Sequence, residues 1–270
     1  MSSLDQLFES LRSQGRKAFM PFVTAGDPNI QTTAAVIDAL RDNGANLCEV
    51  GIPYSDPIAD GPVVASSYQR ALDSGFRLQH AFDLPDPGIP RVTMASYAII
   101  HRIGAADYVA KAAAAGYAGA IVPDLLSEEA EGFSKICRQA DFNLIQLVTP
   151  TTTRERQKQI ADLSSGFIYY VSVTGITGER TSLPSDLVDS VGWLREQTQL
   201  PVCIGFGISS SETAARLSPI ADGLIVGSAI VRRVHEAFSA GDGASEIARR
   251  VGEFGKSIRT AIDDASSVAS

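Results

Sequence analysis

The chain has 270 residues, 44% of them hydrophobic and 20% charged, a composition that supports a globular core and argues against disorder. Its net charge of −8 leaves no excess of Lys and Arg to displace counterions, which disfavours nucleic acid and anionic membranes as partners. Cys48, Cys137 and Cys203 are odd in number, widely spaced and set in apolar runs, so they read as buried thiols in a reducing compartment.

In chain order, Leu4, Leu7, Phe8 and Leu11 have helical spacing, and Gly15 ends that helix. Residues 18–23 read as a buried strand. Asp27-Pro28 then opens a helix with Ile30, Ala34, Ile37 and Leu40 on its stripe. A second strand, 46–50, runs into a loop stiffened by Pro53, Pro57 and Pro62. A helix follows from about Pro62 to Leu72, and Phe76 to Phe82 makes two helical turns. The run 84–90, with three Pro and a Gly, forbids regular structure. A third strand is expected over 91–97.

From there strands and helices alternate. Strand 118–122 precedes a helix started by Ser127, Glu128 and Glu129. Strand 144–148 precedes a helix through Ile160 and Leu163. Strand 167–171 precedes a long polar loop, 174–184, and a helix through Leu187, Val191 and Leu194. Strand 202–204 leads to Gly205-Phe206-Gly207 and a capping box from Ser209 to Glu212. Strand 223–226 leads to Gly227-Ser228, and a last helix carries Ile247, Val251, Phe254, Ile258 and Ile262. Eight βα units at this length indicate one α/β domain over residues 1–270, a TIM (β/α)8 barrel with an extra N-terminal helix; a doubly wound open sheet is the alternative. The N-terminus lacks the apolar core of a signal peptide and no run is long enough to span a membrane, so a cytoplasmic protein is expected.

In such a barrel the chemistry sits at the C-terminal strand ends. Strand alternation points Leu47 and Glu49 inward, with Cys48 and Val50 outward. A carboxylate buried there has its pKa raised by desolvation, which suits proton transfer near neutral pH. Asp60 lies in the following loop; by itself it reads as a turn residue. Gly207, Gly227 and Ser228 sit where such barrels hold phosphate, at glycine turns that open helices. No Lys or Arg lies in either motif, so main-chain donors are expected to hold the anion. The loop around Thr177 and Gly178 has the length and polarity of a mobile lid. His80, His101 and His235 are scattered, and no metal site is expected.

Five segments then carry a resemblance: 21–28 (PFVTAGDP), 49–62 (EVGIPYSDPIADGP), 174–178 (TGITG), 205–209 (GFGIS) and 226–231 (VGSAIV). In this order they resemble the tryptophan synthase alpha chain family over nearly the whole chain. The resemblance implies a lyase of tryptophan biosynthesis that cleaves indole-3-glycerol phosphate to indole and glyceraldehyde 3-phosphate. It implies Glu49 as the acid/base and Asp60 as the partner of the indole nitrogen. Phe22 and Tyr169 would line the indole pocket. Gly178, Gly207, Gly227 and Ser228 would contact phosphate, and Thr177 would close the lid and orient Asp60. It further implies a beta chain partner in an αββα heterotetramer, met by the loop around Pro53–Pro57. Pyridoxal phosphate would belong to that partner, and this chain would carry no cofactor. Two departures stand out: Ala98 replaces the family's Asn after strand three, and the helix before that strand is short, with the Pro-rich run 84–90 in its place. They frame an alternative, a catalytically impaired barrel that regulates the beta chain.

Overall fold

A computed structural model describes residues 2–57, 60–172, 183–205 and 207–267. Among them run nine parallel strands: β1 Ala18–Thr24, β2 Cys48–Gly51, β3 Arg91–Met94, β4 Tyr117–Ile121, β5 Asn143–Ile145, β6 Leu147–Val148, β7 Ile168–Val171, β8 Val202–Gly205 and β9 Gly223–Val226. Hydrogen bonding orders them β5-β4-β3-β2-β1-β9-β8-β7-β6. The two ends of that order, β5 and β6, are the halves of the single strand expected over 144–148, divided at Gln146. The sheet therefore curls into a TIM barrel closed through one residue. Beside this seam the Ser165 N–H donates to the Leu144 carbonyl (2.8 Å) and the Tyr169 N–H to the Gln146 carbonyl (3.1 Å), both joining the fifth strand to the segment that leads into and through β7.

Twelve α-helices surround it among the described residues: α1 Ser3–Ser13, α2 Ile30–Asp42, α3 Pro62–Asp73, α4 Leu78–Phe82, α5 Tyr97–Ile103, α6 Ala105–Ala114, α7 Ala130–Gln139, α8 Arg154–Leu163, α9 Ser185–Gln197, α10 Ser211–Leu217, α11 Ser228–Ser239 and α12 Ala244–Ser267. The strand alternation divides the core in two. Met20, Leu47, Val92, Ile121, Ile145, Cys203 and Ile225 fill the interior together with Leu4, Phe8 and Leu11 of α1. Cys48, Val50 and the alternate strand residues pack outward on the helices. The extra N-terminal helix is thus the barrel's floor. Ser2 and Asp5 cap its start reciprocally, and Phe8 meets Phe167 with ring centroids 5.8 Å apart. Burying each large apolar side chain of α1 contributes about 1.5–3 kcal/mol.

Several expectations need correction. The third strand stops at Met94, and Tyr97 begins α5 instead. Ser96 and Asp124 supply the reason: Asp124 accepts from the Ser96 hydroxyl (2.6 Å) and the Tyr97 N–H (2.7 Å), holding a helix start at the Ala98 departure. Asp27-Pro28 does not open a helix. Asn29 caps α2, accepting from the Thr32 N–H at 2.9 Å. Asp27, 5% exposed, is instead clamped by the Arg70 guanidinium of α3 at 2.9 and 2.6 Å. Ser210, not Ser209, caps α10. The helix after β4 starts at Ala130 rather than Ser127. The helix opened at Gly227-Ser228, α11, runs to Ser239, an extent that the sequence reading left unassigned.

Candidate active site

Phe22 and Glu49 are register partners on β1 and β2 near their C-terminal ends. Tyr169 projects from β7, beside Cys203 of β8 and Leu147 of β6. These three, with Asp60, Gly207, Gly227 and Ser228, line one cavity of about 1030 Å³, the size of a small-molecule site. Of the nine site residues expected from the sequence, the cavity gathers seven. The other two, Thr177 and Gly178, lie outside the described residues, with the whole stretch 173–182.

Glu49 is 2% exposed. Neither of its carboxylate oxygens has a hydrogen-bond partner among the described residues. An unpaired buried carboxylate resists ionisation. Burial, reinforced by the charge of Asp60, pushes its pKa up to about 8. Asp60 is less enclosed, and burial together with the Asp124 charge raises it to about 6. Two carboxylates in one cavity thus hold different protonation states near neutrality. Glu49 is mainly a neutral acid and Asp60 mainly an anion. Such a split assigns acid and charge roles in many active sites.

The aromatic wall depends on a glycine. A Cβ on Gly205 would collide with the ring and hydroxyl oxygen of Tyr169, so only glycine lets the Tyr169 ring lie across β8. Gly205→Val is expected to evict the ring and cut kcat/KM by about 10²-fold, the cost of a reactant misplaced by about 1 Å. A circular-dichroism melt keeps loss of fold separate from loss of rate.

Also in the cavity wall, Gly207 takes a φ of +77°, open to glycine and strained for most other residues. Gly227 is the N-cap of α11 and no side chain caps that helix. Its first N–H groups therefore have no intrahelical acceptor, a ready anion site. Arg232, one turn further along α11, lines the same cavity. The sequence reading missed this cation because it searched only within the glycine motifs; the i, i+4 spacing from Ser228 is the signal that finds it. Arg156 and Glu128 pair at 2.8 Å near the rim. Ser67 is occupied structurally, bonding Thr24 at 2.6 Å and the Val64 carbonyl at 2.6 Å. Among the described residues no three His, Cys, Asp or Glu side chains converge as a metal site.

Comparison with known proteins agrees with this geometry. The family model for "Tryptophan synthase alpha chain" matches residues 8–262. The tryptophan synthase alpha chain of Rhodopirellula baltica is 66% identical, over 98% of this chain and all of that one. That of Trichormus variabilis is 42% identical, over 97% and 99%. Among solved structures, tryptophan synthase subunit alpha from Legionella pneumophila superposes with a TM-score of 0.89 at 32% identity, covering 98% of this chain and 99% of that one. The departures at 84–98 thus sit within an otherwise full-length match, and the chain belongs to the tryptophan synthase alpha chain family.

Proposed function

We propose that the chain is a lyase that splits indole-3-glycerol phosphate into indole and glyceraldehyde 3-phosphate by a retro-aldol reaction. The observation that carries the reading is the buried, unpartnered Glu49 in a cavity lined by two aromatic rings and by the N-terminus of a helix.

The roles follow from the charges. Cleaving the C–C bond requires a proton on the indole C3 and removal of the proton from the glycerol hydroxyl. Glu49 starts protonated, delivers its proton to C3, and as a carboxylate takes up the hydroxyl proton when the bond breaks. The glycerol fragment leaves as the aldehyde, the electron pair of the broken bond restores the indole, and Glu49 is again an acid. Asp60, ionised near neutrality, faces the positive charge that C3 protonation places on the ring nitrogen. Phe22 and Tyr169 line the pocket for the indole ring. The first turn of α11, with Gly207, Gly227, Ser228 and the charge of Arg232, takes the phosphate. Thr177 and Gly178 would complete the lid. No cofactor enters this sequence of steps.

The partner in this reading is a tryptophan synthase beta chain, in an αββα assembly, with pyridoxal phosphate in that chain. The family supports it, and Mycobacterium tuberculosis tryptophan synthase supplies neighbours of the same fold, at a TM-score of 0.85 for one of them. The loop around Pro53–Pro57 is the docking segment. The reading also makes the chain cytoplasmic, in keeping with three free buried cysteines; among the described residues no helix is long and apolar enough to cross a membrane.

Indole release from indole-3-glycerol phosphate, followed with and without the beta chain, is the test. Turnover by the isolated chain, accelerated by the partner, is the expected result. A chain that releases no indole in either condition, yet alters the beta reaction, is a regulator and not a lyase.

A further inference from the structure

A second cavity, of about 320 Å³, lies at the other end of the barrel. It opens where α1 runs into β1, beside the segment between α9 and β8 and the residue preceding β9. These are the N-terminal ends of the strands, remote from Glu49. Its volume reaches the lower range of small-ligand sites.

Its lining is unlike the rest of this acidic chain. Four of the 23 Lys and Arg converge there: Arg12, Arg16, Lys17 and Arg195. Asp222 is the one acid in the wall, and it is already engaged. Its Oδ1 takes the Arg195 guanidinium at 3.0 Å and its Oδ2 takes the Val202 N–H at 3.0 Å. Arg16 reaches Asp263 at 3.3 Å. That carboxylate is shared with Arg259, which binds it at 2.9 Å. Arg12 and Lys17 have no carboxylate partner among the described residues. Burial holds the Lys17 ammonium below its usual pKa; Asp222 opposes this, and the charges of Arg195 and Arg12 reinforce it. Mutual repulsion of this kind is relieved by an added anion.

Phe8, Leu11, Leu200 and Pro201 give the cavity an apolar face, beside the uncharged Gly15, Thr198 and Gln199. A fully hydrated inorganic ion gains nothing from that surface, whereas a small organic anion buries against it. Arg guanidinium forks match phosphate and carboxylate oxygens in pairs.

We infer that this floor cavity is a binding site for a small organic dianion of the phosphate-monoester type, held by Arg12, Lys17 and Arg195 and packed against Phe8 and Leu200. Such a ligand ties the α1 plug to the barrel through Arg12 on one side and Arg195 on the other. It acts without touching the catalytic cavity.

The experiment is calorimetric titration of the full chain with phenyl phosphate as the probe. It is done in a Ser228→Asp background, in which a carboxylate at the start of α11 repels anions from the upper cavity. Saturable binding is expected to persist there, weaken by about tenfold or more in Ser228→Asp/Arg12→Gln/Lys17→Met, and be weaker for inorganic phosphate than for phenyl phosphate. Arg12 is exposed, so Arg12→Gln in the Ser228→Asp background keeps the fold if the triple variant does not, and it is expected to weaken binding on its own. Absence of saturable binding at about 10 mM probe, a concentration that fills any site of millimolar affinity, overturns the inference. Binding that Arg12→Gln and Lys17→Met leave unchanged overturns it as well.

Discussion

Glu49→Gln is expected to lower kcat for indole release by at least ~10²–10⁴, the usual contribution of a positioned general acid–base. Gln keeps the shape of the side chain and removes the transferable proton, so KM should move little. Stability gives an independent readout. Glu49 has a pKa of about 8 in the fold, against 4.5 in the unfolded chain. Between those values the folded state holds a proton that the unfolded state has lost. Stability then falls as pH rises through the window, and Glu49 costs the fold most above pH 8. The size is on the order of a few kcal/mol. Glu49→Gln should therefore melt at a higher temperature than the parent at pH 9, with the gap closing towards pH 5. Thermal melts at the two pH values and steady-state indole release check both halves. Unchanged turnover would remove Glu49 from the mechanism, and a gap independent of pH would contradict its burial as a neutral acid.

The second large effect concerns the stretch where the chain departs from its relatives. Arg91 opens β3 and is 1% exposed. Its guanidinium donates to the carbonyls of Leu84 (3.2 Å), Pro85 (3.1 Å) and Ala115 (2.8 Å). It also lies 4.7 Å from the centre of the Tyr117 ring, whose hydroxyl donates to the Ala81 carbonyl at 2.9 Å. One buried cation thus fastens the Pro-rich run to the barrel, with main-chain oxygens as its counter-charges. Arg91→Met keeps the apolar stem and strands three carbonyls, at about 1–3 kcal/mol each before the relief of not burying a charge is subtracted. A net loss of about 3 kcal/mol is expected, or about 6–12 °C in Tm for a chain of this size. Calorimetry measures it. A loss below about 1 kcal/mol would mean that 84–90 is held by something other than Arg91. Activity below the transition should survive, because Arg91 does not line the catalytic cavity.

What was legible in the sequence was what depends on period and punctuation. Alternation alone placed Leu47 and Glu49 inward, and the glycine turns after β8 and β9 were read from their spacing and do border the cavity. What was not legible depends on partners far along the chain. Asp27 reads as a helix cap because Pro28 follows it, but Arg70, 43 residues away, claims its carboxylate. Tyr97 begins a helix because Asp124 caps it from the next βα unit. The stripe of α11, Ile230, Val231, Val234 and Ala237, is helical in spacing, but it directly follows the apolar residues of β9 and merges with them. The split of the fifth strand falls at Gln146, the one polar residue between Leu144 and Val148, but a single polar residue does not end a strand by period alone.

That split makes the barrel a ring with a clasp. Every other junction in the sheet is a hydrogen-bonded ladder; this one is the chain itself, running from β5 through Gln146 into β6. Gln146 also lies in the wall of the catalytic cavity, with its side-chain amide nitrogen unpartnered among the described residues. The fifth strand therefore hands the ring over: its first half is zipped to β4 and its second half to β7, so one covalent hinge residue carries the sheet from one neighbour to the next in the wall of the catalytic cavity.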